Sequence, residues 1–254
     1  MEQLSIFDFT REPFRIDKPV RMVELFAGYG SQALAMKYLG VPIEHHLAVE
    51  FDKYACASYN AVHDTDFPVL DVCNIHAEDL KITDTDKYCY ILTYSFPCTD
   101  LSVAGKMQGM AEGSGTRSSL LWEVRRILSE CKELPQILLM ENVTQVHSTE
   151  NLPHFKRWLQ FLESLGYSNY VEDCNAKQYC VAQNRDRCFV LSLLGEYNFK
   201  FPHPVELRYI MKDYLEDEVD EKYYLNSEKA QDLIDKLIAD GTLDNERTNE
   251  RTNE

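Results

Sequence analysis

Up to about residue 200, short apolar runs alternate with amphipathic stretches, the pattern of strands alternating with helices. Val20-Arg-Met-Val-Glu-Leu-Phe26 is a compact apolar run that predicts a first strand. Gly28-Tyr-Gly30 then turns the chain, and Ser31 is placed to cap a helix over Gln32 to Leu39. A second strand is expected over His45 to Glu50 and a second helix over Asp52 to Asn60. Pro68-Val-Leu-Asp71 reads as a brief third strand, and Tyr88 to Tyr94 as a fourth. Between Ser118 and Glu130, Leu120, Leu121, Val124, Ile127 and Leu128 recur at helical spacing. Gln136 to Met140 predicts a fifth strand, Phe155 to Leu165 an amphipathic helix ended by Gly166, and Cys188 to Leu194 a last core strand. The alternation predicts an α/β fold with a doubly wound, mostly parallel sheet.

Past Phe201-Pro-His-Pro204 the pattern breaks. Met211 to Glu221 is strongly acidic, and Ser227 to Ala239 is a helix candidate carrying Leu233, Leu237 and Ile238. Asn245 to Glu254 is a four-residue repeat of Asn-Glu-Arg-Thr with no apolar position, which predicts disorder. The expected organisation is a main domain over 1–200, the start of an incomplete small domain over 201–244, and the repeat over 245–254.

Charge complicates any assignment to a nucleic-acid partner. The net charge is −16 over 254 residues, whereas a duplex is normally met by a basic surface. Residues 201–254 carry 7 Lys/Arg against 15 Asp/Glu, so half of the excess lies in that tail. The earlier part keeps Lys106, Arg117, Arg125, Arg126, Arg185 and Arg187 near the chemistry described next, enough for a local basic cleft. No run approaches the ~18 or more apolar residues of a membrane span, and the N-terminus has no basic region of a signal peptide. Eight cysteines without a Cys-x-x-Cys pair argue against a zinc site and fit reduced thiols in a cytoplasmic protein.

The chemistry-bearing residues follow the apolar runs. Cys98, in Phe96-Pro97-Cys98, comes just after Tyr90 to Tyr94, at the carboxyl end of a strand, where α/β sheets bind their ligands. Glu141-Asn142-Val143 follows another apolar run, and Gln183-Asn-Arg-Asp-Arg187 precedes the last strand. A thiol, a carboxyl group and two arginines so placed make a candidate catalytic site. Gly28 and Gly30 let the backbone approach a ligand, and the helix N-terminus after them favours a carboxylate. Glu50, twenty residues beyond Gly30, is placed to accept ribose hydroxyls; Phe51 beside it could stack on a base, and Asp71 with Val72 could meet the base edge. The structural alternatives are a helix cap, core aromatics and a buried cysteine.

These segments resemble the DNA (cytosine-5) methyltransferases. Phe26-Ala-Gly-Tyr-Gly30 matches the family's cofactor motif, Pro97-Cys98 its nucleophile motif, Glu141-Asn142-Val143 its acid motif, and Gln183, Arg185 and Arg187 its Gln-x-Arg-x-Arg motif, all in family order. The resemblance implies a Rossmann-like, S-adenosylmethionine-dependent enzyme acting on double-stranded DNA and releasing S-adenosylhomocysteine. It implies that Cys98 attacks C6 of a flipped cytosine. Glu141 would meet N3 as an acid, Asn142 would orient the Cys98 loop, Arg187 would hold O2, and Arg185 would support Glu141 or the phosphate backbone. Phe26, Gly28, Gly30, Glu50, Phe51, Asp71, Val72, Pro97 and Leu120 are expected around the cofactor. Ser102, Lys106 and Gln183 are expected on the nucleic acid.

Thr99 and Ala182 depart from the family's usual Gln and Pro, and no Gly-Asn-Ser-Val-like segment follows Arg187. The expectation is a truncated recognition region that leaves apolar surface uncovered, for self-association or for a second polypeptide. Two alternatives stand beside the leading one. One is an RNA cytosine-5 methyltransferase acting on transfer RNA, and the other is a non-catalytic subunit that needs a partner chain.

Overall fold

The computed structural model describes residues 11–99, 101, 109–224 and 227–242. Ser102, Lys106 and the repeat from Asn245 lie outside the described residues. Two compact units are present, Met1–Tyr209 and Ile210–Glu254. The second consists of 3₁₀ turns at Met211–Tyr214 and Glu221–Tyr223 and the helix α6, Glu228–Ala239, whose N-cap Ser227 side chain accepts from the Ala230 N–H.

The first unit is built on a six-stranded sheet: β1 (Val20–Leu25), β2 (Ile43–Val49), β3 (Cys89–Tyr94), β4 (Ile137–Asn142), β5 (Tyr167–Asn175) and β6 (Asp186–Leu194), in the order β2-β1-β3-β4-β6-β5. The first four strands are parallel, and β6 runs antiparallel to both β4 and β5. This is the mostly parallel α/β sheet that the sequence predicts. All six residues of β3 are buried, as expected of a central strand covered on both faces. Helices α1 (Ser31–Tyr38), α2 (Lys53–His63), α3 (Ala77–Leu80), α4 (Leu121–Glu130) and α5 (Leu152–Ser164) connect and cover the strands.

Side-chain alternation divides the core into two faces. Val23, Leu25, Tyr90, Leu92, Tyr94, Leu138, Met140 and Val190 meet the apolar stripes of α4 and α5 on one face. Trp158 of α5 is fully buried there, and its indole N–H donates to the Tyr94 hydroxyl at 3.1 Å. The other face holds a smaller cluster around Val20, Cys89, Ile91, Ile137 and Leu193.

Four local expectations differ from the structure. Ser31 is the first residue of α1, and the N-cap is Gly30, which has no side chain to cap with. Residues 68–71 form no strand; Leu70 N–H reaches the Glu50 carbonyl at 2.9 Å, a single bond that no ladder extends. β5 and α3 are additional elements. β5 is an edge strand whose apolar residues lack clean alternation, and α3 is one turn long, so neither has a periodic signature. Helices α2 and α5 extend past their expected ends, to His63 and back to Leu152.

Glu24 is the one charged residue of the described β1–β6 sheet that is buried. It points to the face opposite Val23 and Leu25, where its Oε2 accepts the Tyr59 hydroxyl at 2.6 Å. The Ala33 amide, in the first turn of α1, tempers its charge without making a hydrogen bond of ordinary geometry, so Oε1 is left unsatisfied. Burial therefore raises the Glu24 pKa from 4.5 to about 7. A raised folded-state pKa contributes stability that is complete below the ordinary value and lost as pH rises through about 7. A shift of this size corresponds to roughly 3 kcal/mol. Burial shifts His45 in the opposite sense, lowering its pKa, and that contribution is lost as pH falls. Comparison with Glu24→Gln isolates the carboxyl group. Between pH 5 and pH 8.5 the wild type should lose on the order of 3 kcal/mol more than Glu24→Gln in urea unfolding. Parallel pH profiles would mean that Glu24 is ionised throughout.

Candidate active site

Parallel register places the candidate residues at one edge of the sheet. Leu25 pairs with Tyr94 and Tyr94 with Met140, so the segments leaving β1, β3 and β4 emerge side by side. Because β6 is antiparallel, its first residues reach the same edge: Asn142 pairs with Cys188 and Glu141 with Phe189. The glycine-rich turn, Cys98, Glu141 and the two arginines are brought together by this arrangement, although they are distant in sequence.

Two hydrogen bonds fix the Cys98 segment. Asn142, buried at the end of β4, donates from Nδ2 to the Phe96 carbonyl at 2.9 Å, and its Oδ1 accepts the Val143 N–H. Ser118, fully buried before α4, donates from Oγ to the Pro97 carbonyl at 2.7 Å. Phe96 is itself buried, and the Cys98 carbonyl accepts the Leu101 N–H. Cys98 is half-buried at the core margin. Asn142 was named from the sequence, while Ser118 had no sequence signal because its contact spans 21 residues.

Glu141 faces the arginines. Arg187 Nε is 2.9 Å from Glu141 Oε1, and Arg185 Nη2 is 3.8 Å away. Arg187 is therefore the nearer of the two partners. Two cavities meet at this point. One, of about 410 Å³, is lined by Glu141, Arg185, Arg187, Phe189, Tyr179 and Phe201 among others. The other, of about 570 Å³, is lined by Phe26, Gly28, Tyr29, Ser31, Gln32 and Ser95 and also by Glu141, Arg185 and Phe189. Cys98 lines neither.

The glycine-rich turn is held from below. The Gly28 N–H donates to Glu50 Oε2 at 2.9 Å, and the Asp52 N–H donates to Glu50 Oε1 at 2.9 Å. Phe26, Gly28 and Gly30 all have positive φ. Phe51 is exposed. Asp71 caps a 3₁₀ turn by accepting the Cys73 N–H, and Val72 is buried in the main core. Pro97 and Leu120 are half-buried, and Gln183 is exposed. None of Glu50, Phe51, Asp71, Val72, Pro97 or Leu120 lines the larger cavity.

The expected basic cleft is narrower than the sequence suggests. Arg125 pairs with Glu112, and Arg126 pairs with Glu123 and Glu130 while donating to the Val72 and Ile75 carbonyls. Behind the site, His147 Nε2 lies 3.0 Å from the Asp173 carboxylate, with the Cys188 sulfur close by. That group ties the turn after β4 to β5 and β6, and burial beside Asp173 pushes the Cys188 thiol up to about 12.

Removing the Asn142 side chain leaves the buried Phe96 carbonyl without its donor. Asn142→Ala should lower stability by about 1–3 kcal/mol, seen as a lower urea midpoint. An unchanged midpoint would mean that water serves the carbonyl equally well.

The profile of the C-5 cytosine-specific DNA methylases matches residues 20–249. The chain is similar to the type II methyltransferase M2.ScrFI of Lactococcus lactis subsp. cremoris, with 33% identity over 84% of this chain and 72% of the relative. It is also similar to the orphan methyltransferase M.SssI of Spiroplasma monobiae, with 40% identity over 66% of this chain and 43% of the relative. Among solved structures, the S. pombe Dnmt2 methyltransferase superposes with a TM-score of 0.65 at 22% identity, over 84% of this chain and 65% of that one, a likeness of fold. The chain thus spans from under half to just under three quarters of these proteins' lengths. Among the described residues no helix is long and apolar enough to cross a membrane. With a profile match over most of its length and the motif residues gathered at one sheet edge, the chain belongs to the C-5 cytosine-specific DNA methylase family.

Proposed function

We propose that the protein transfers a methyl group from S-adenosylmethionine to C5 of a cytosine flipped out of double-stranded DNA. The observation that carries this reading is the meeting of two cavities at Glu141, Arg185 and Phe189, one opening on the glycine-rich turn and the other on the arginine pair. A methyl donor and an acceptor base need such adjoining places. The match to the C-5 cytosine-specific DNA methylase family favours DNA as the substrate over RNA.

The residues present fit the cofactor. Helix α1 starts without a side-chain cap, so its first amides are open to a carboxylate. Glu50 accepts one backbone N–H on each oxygen and keeps lone pairs for ribose hydroxyls. The exposed Phe51 is available to stack on adenine, and the second oxygen of Asp71 is available to its amino group. S-adenosylmethionine, when bound, supplies an electrophilic methyl group.

The protein's own part is covalent catalysis. The Cys98 thiolate attacks C6, an S–C6 bond forms, and the C5=C6 π pair moves to C5. Glu141 hydrogen-bonds N3 and offsets the charge that develops on the ring. Arg187, already beside Glu141, is placed to reach O2. The C5 pair would take the methyl group as the S–CH3 pair returns to sulfur; a water acting as base then takes the C5 proton, the C–H pair restores C5=C6, and the S–C6 pair leaves with the Cys98 thiolate. Ser102, Lys106 and Gln183 are assigned to the nucleic acid on resemblance alone.

Fluorine at C5 blocks the last elimination. DNA containing 5-fluorocytosine, incubated with the chain and S-adenosylmethionine, should give a denaturation-resistant adduct that is absent with Cys98→Ser. Glu141→Gln should form the adduct on the order of 10²-fold more slowly. An adduct that survives Cys98→Ser would contradict the assignment. Cofactor binding without any adduct would mean that this chain alone is not the active unit.

A further inference from the structure

His63, the last residue of α2, belongs to none of the motifs above. Its Nε2 lies 3.0 Å from the Tyr29 carbonyl and 3.1 Å from the Gly30 carbonyl. Both partners are acceptors, so Nε2 carries the hydrogen and donates to them. The imidazole packs against Tyr59 at 4.5 Å and His45 at 4.8 Å between ring centroids. Tyr59 is in turn anchored to buried Glu24 and lies 2.9 Å from His45 Nδ1. The ring is therefore braced from the β1 and β2 side and cannot swing aside without opening a packed cluster. Gly30, at φ 79°, has no room for a side chain, because a Cβ there would overlap the His63 and Tyr59 rings.

The consequence falls on one peptide. In a trans peptide the carbonyl oxygen and the following N–H point in opposite directions. The Gly30 carbonyl accepts the Leu34 N–H of α1 at 2.9 Å and the His63 hydrogen at 3.1 Å; held from both sides, it leaves the Ser31 N–H pointing away from His63. Gly28, Tyr29 and Ser31 line the larger cavity. The Gly30 N–H is already taken by the Ala27 carbonyl at 2.9 Å, whereas first-turn amides such as that of Ser31 have no intrahelical acceptor.

We propose that His63 is a positioning residue for the cofactor's amino-acid end: by holding both the Tyr29 and Gly30 carbonyls it adds to the Leu34 bond of α1 in fixing the Gly30–Ser31 peptide, so that the Ser31 amide meets the carboxylate. This role rests on the cofactor assignment above. Isothermal titration of the full chain with two ligands tests it: S-adenosylhomocysteine, and 5′-methylthioadenosine, which keeps the adenosine and sulfur but lacks the amino-acid part. His63→Ala should bind S-adenosylhomocysteine about tenfold more weakly, the scale of one charge-assisted hydrogen bond, with methylthioadenosine unaffected. His63→Gln, which retains an N–H donor, should recover most of the loss and stands in should the alanine variant fail to fold. Equal loss for both ligands would make His63 a packing residue and overturn the proposal, as would no loss for either. A wild-type chain that binds neither compound would overturn the cofactor assignment itself, and His63's role with it.

Discussion

Two neighbouring carbonyls, Phe96 and Pro97, are gripped from two directions, and the geometry of the site depends on that grip. Asn142 reaches across from the end of β4 and Ser118 from the turn before α4. Both donors are buried, so releasing either carbonyl would strand a polar group out of water. The Cys98 segment is thereby coupled to the strand that carries Glu141. Parallel register of β1, β3 and β4 does the rest, delivering the glycine-rich turn to the same edge. The antiparallel β6 brings the arginines back to it.

The chain is acidic, and the cations near the candidate site are few. Half of the negative excess falls in residues 201–254. Arg125 and Arg126 brace the fold, and Arg185 and Arg187 are gathered at Glu141. Charge is used locally here, to hold one carboxylate at a cavity junction, more than as a broad field for steering. Glu24 follows the opposite logic. It is a carboxyl group taken out of water, with Tyr59 and the first turn of α1 partly offsetting the cost.

The sequence revealed the parts of the site that sit in short local patterns. Cys98, Glu141, Arg185 and Arg187 each adjoin an apolar run, so strand prediction alone placed them at strand ends. The sheet was legible because its central strands are continuous apolar runs, as in fully buried β3. β5 escaped because an edge strand has neither continuous nor alternating apolarity. Ser118 and His63 escaped for another reason. Their contacts, to Pro97 across 21 residues and to Gly30 across 33, are tertiary and leave no periodic trace. Ser31 looked like a cap because its residue type suits one, but the cap position falls one residue earlier, at a glycine that packing against His63 and Tyr59 requires.

The central claim is that Cys98, held by this grip, makes C5 of cytosine the methyl acceptor. The most direct measurement is mass spectrometry of nucleosides from DNA exposed to the chain and isotopically labelled S-adenosylmethionine. The account predicts label in 5-methylcytosine alone, and none with Cys98→Ser. Label on the exocyclic nitrogen of cytosine or adenine, or 5-methylcytosine formed by Cys98→Ser, would contradict it.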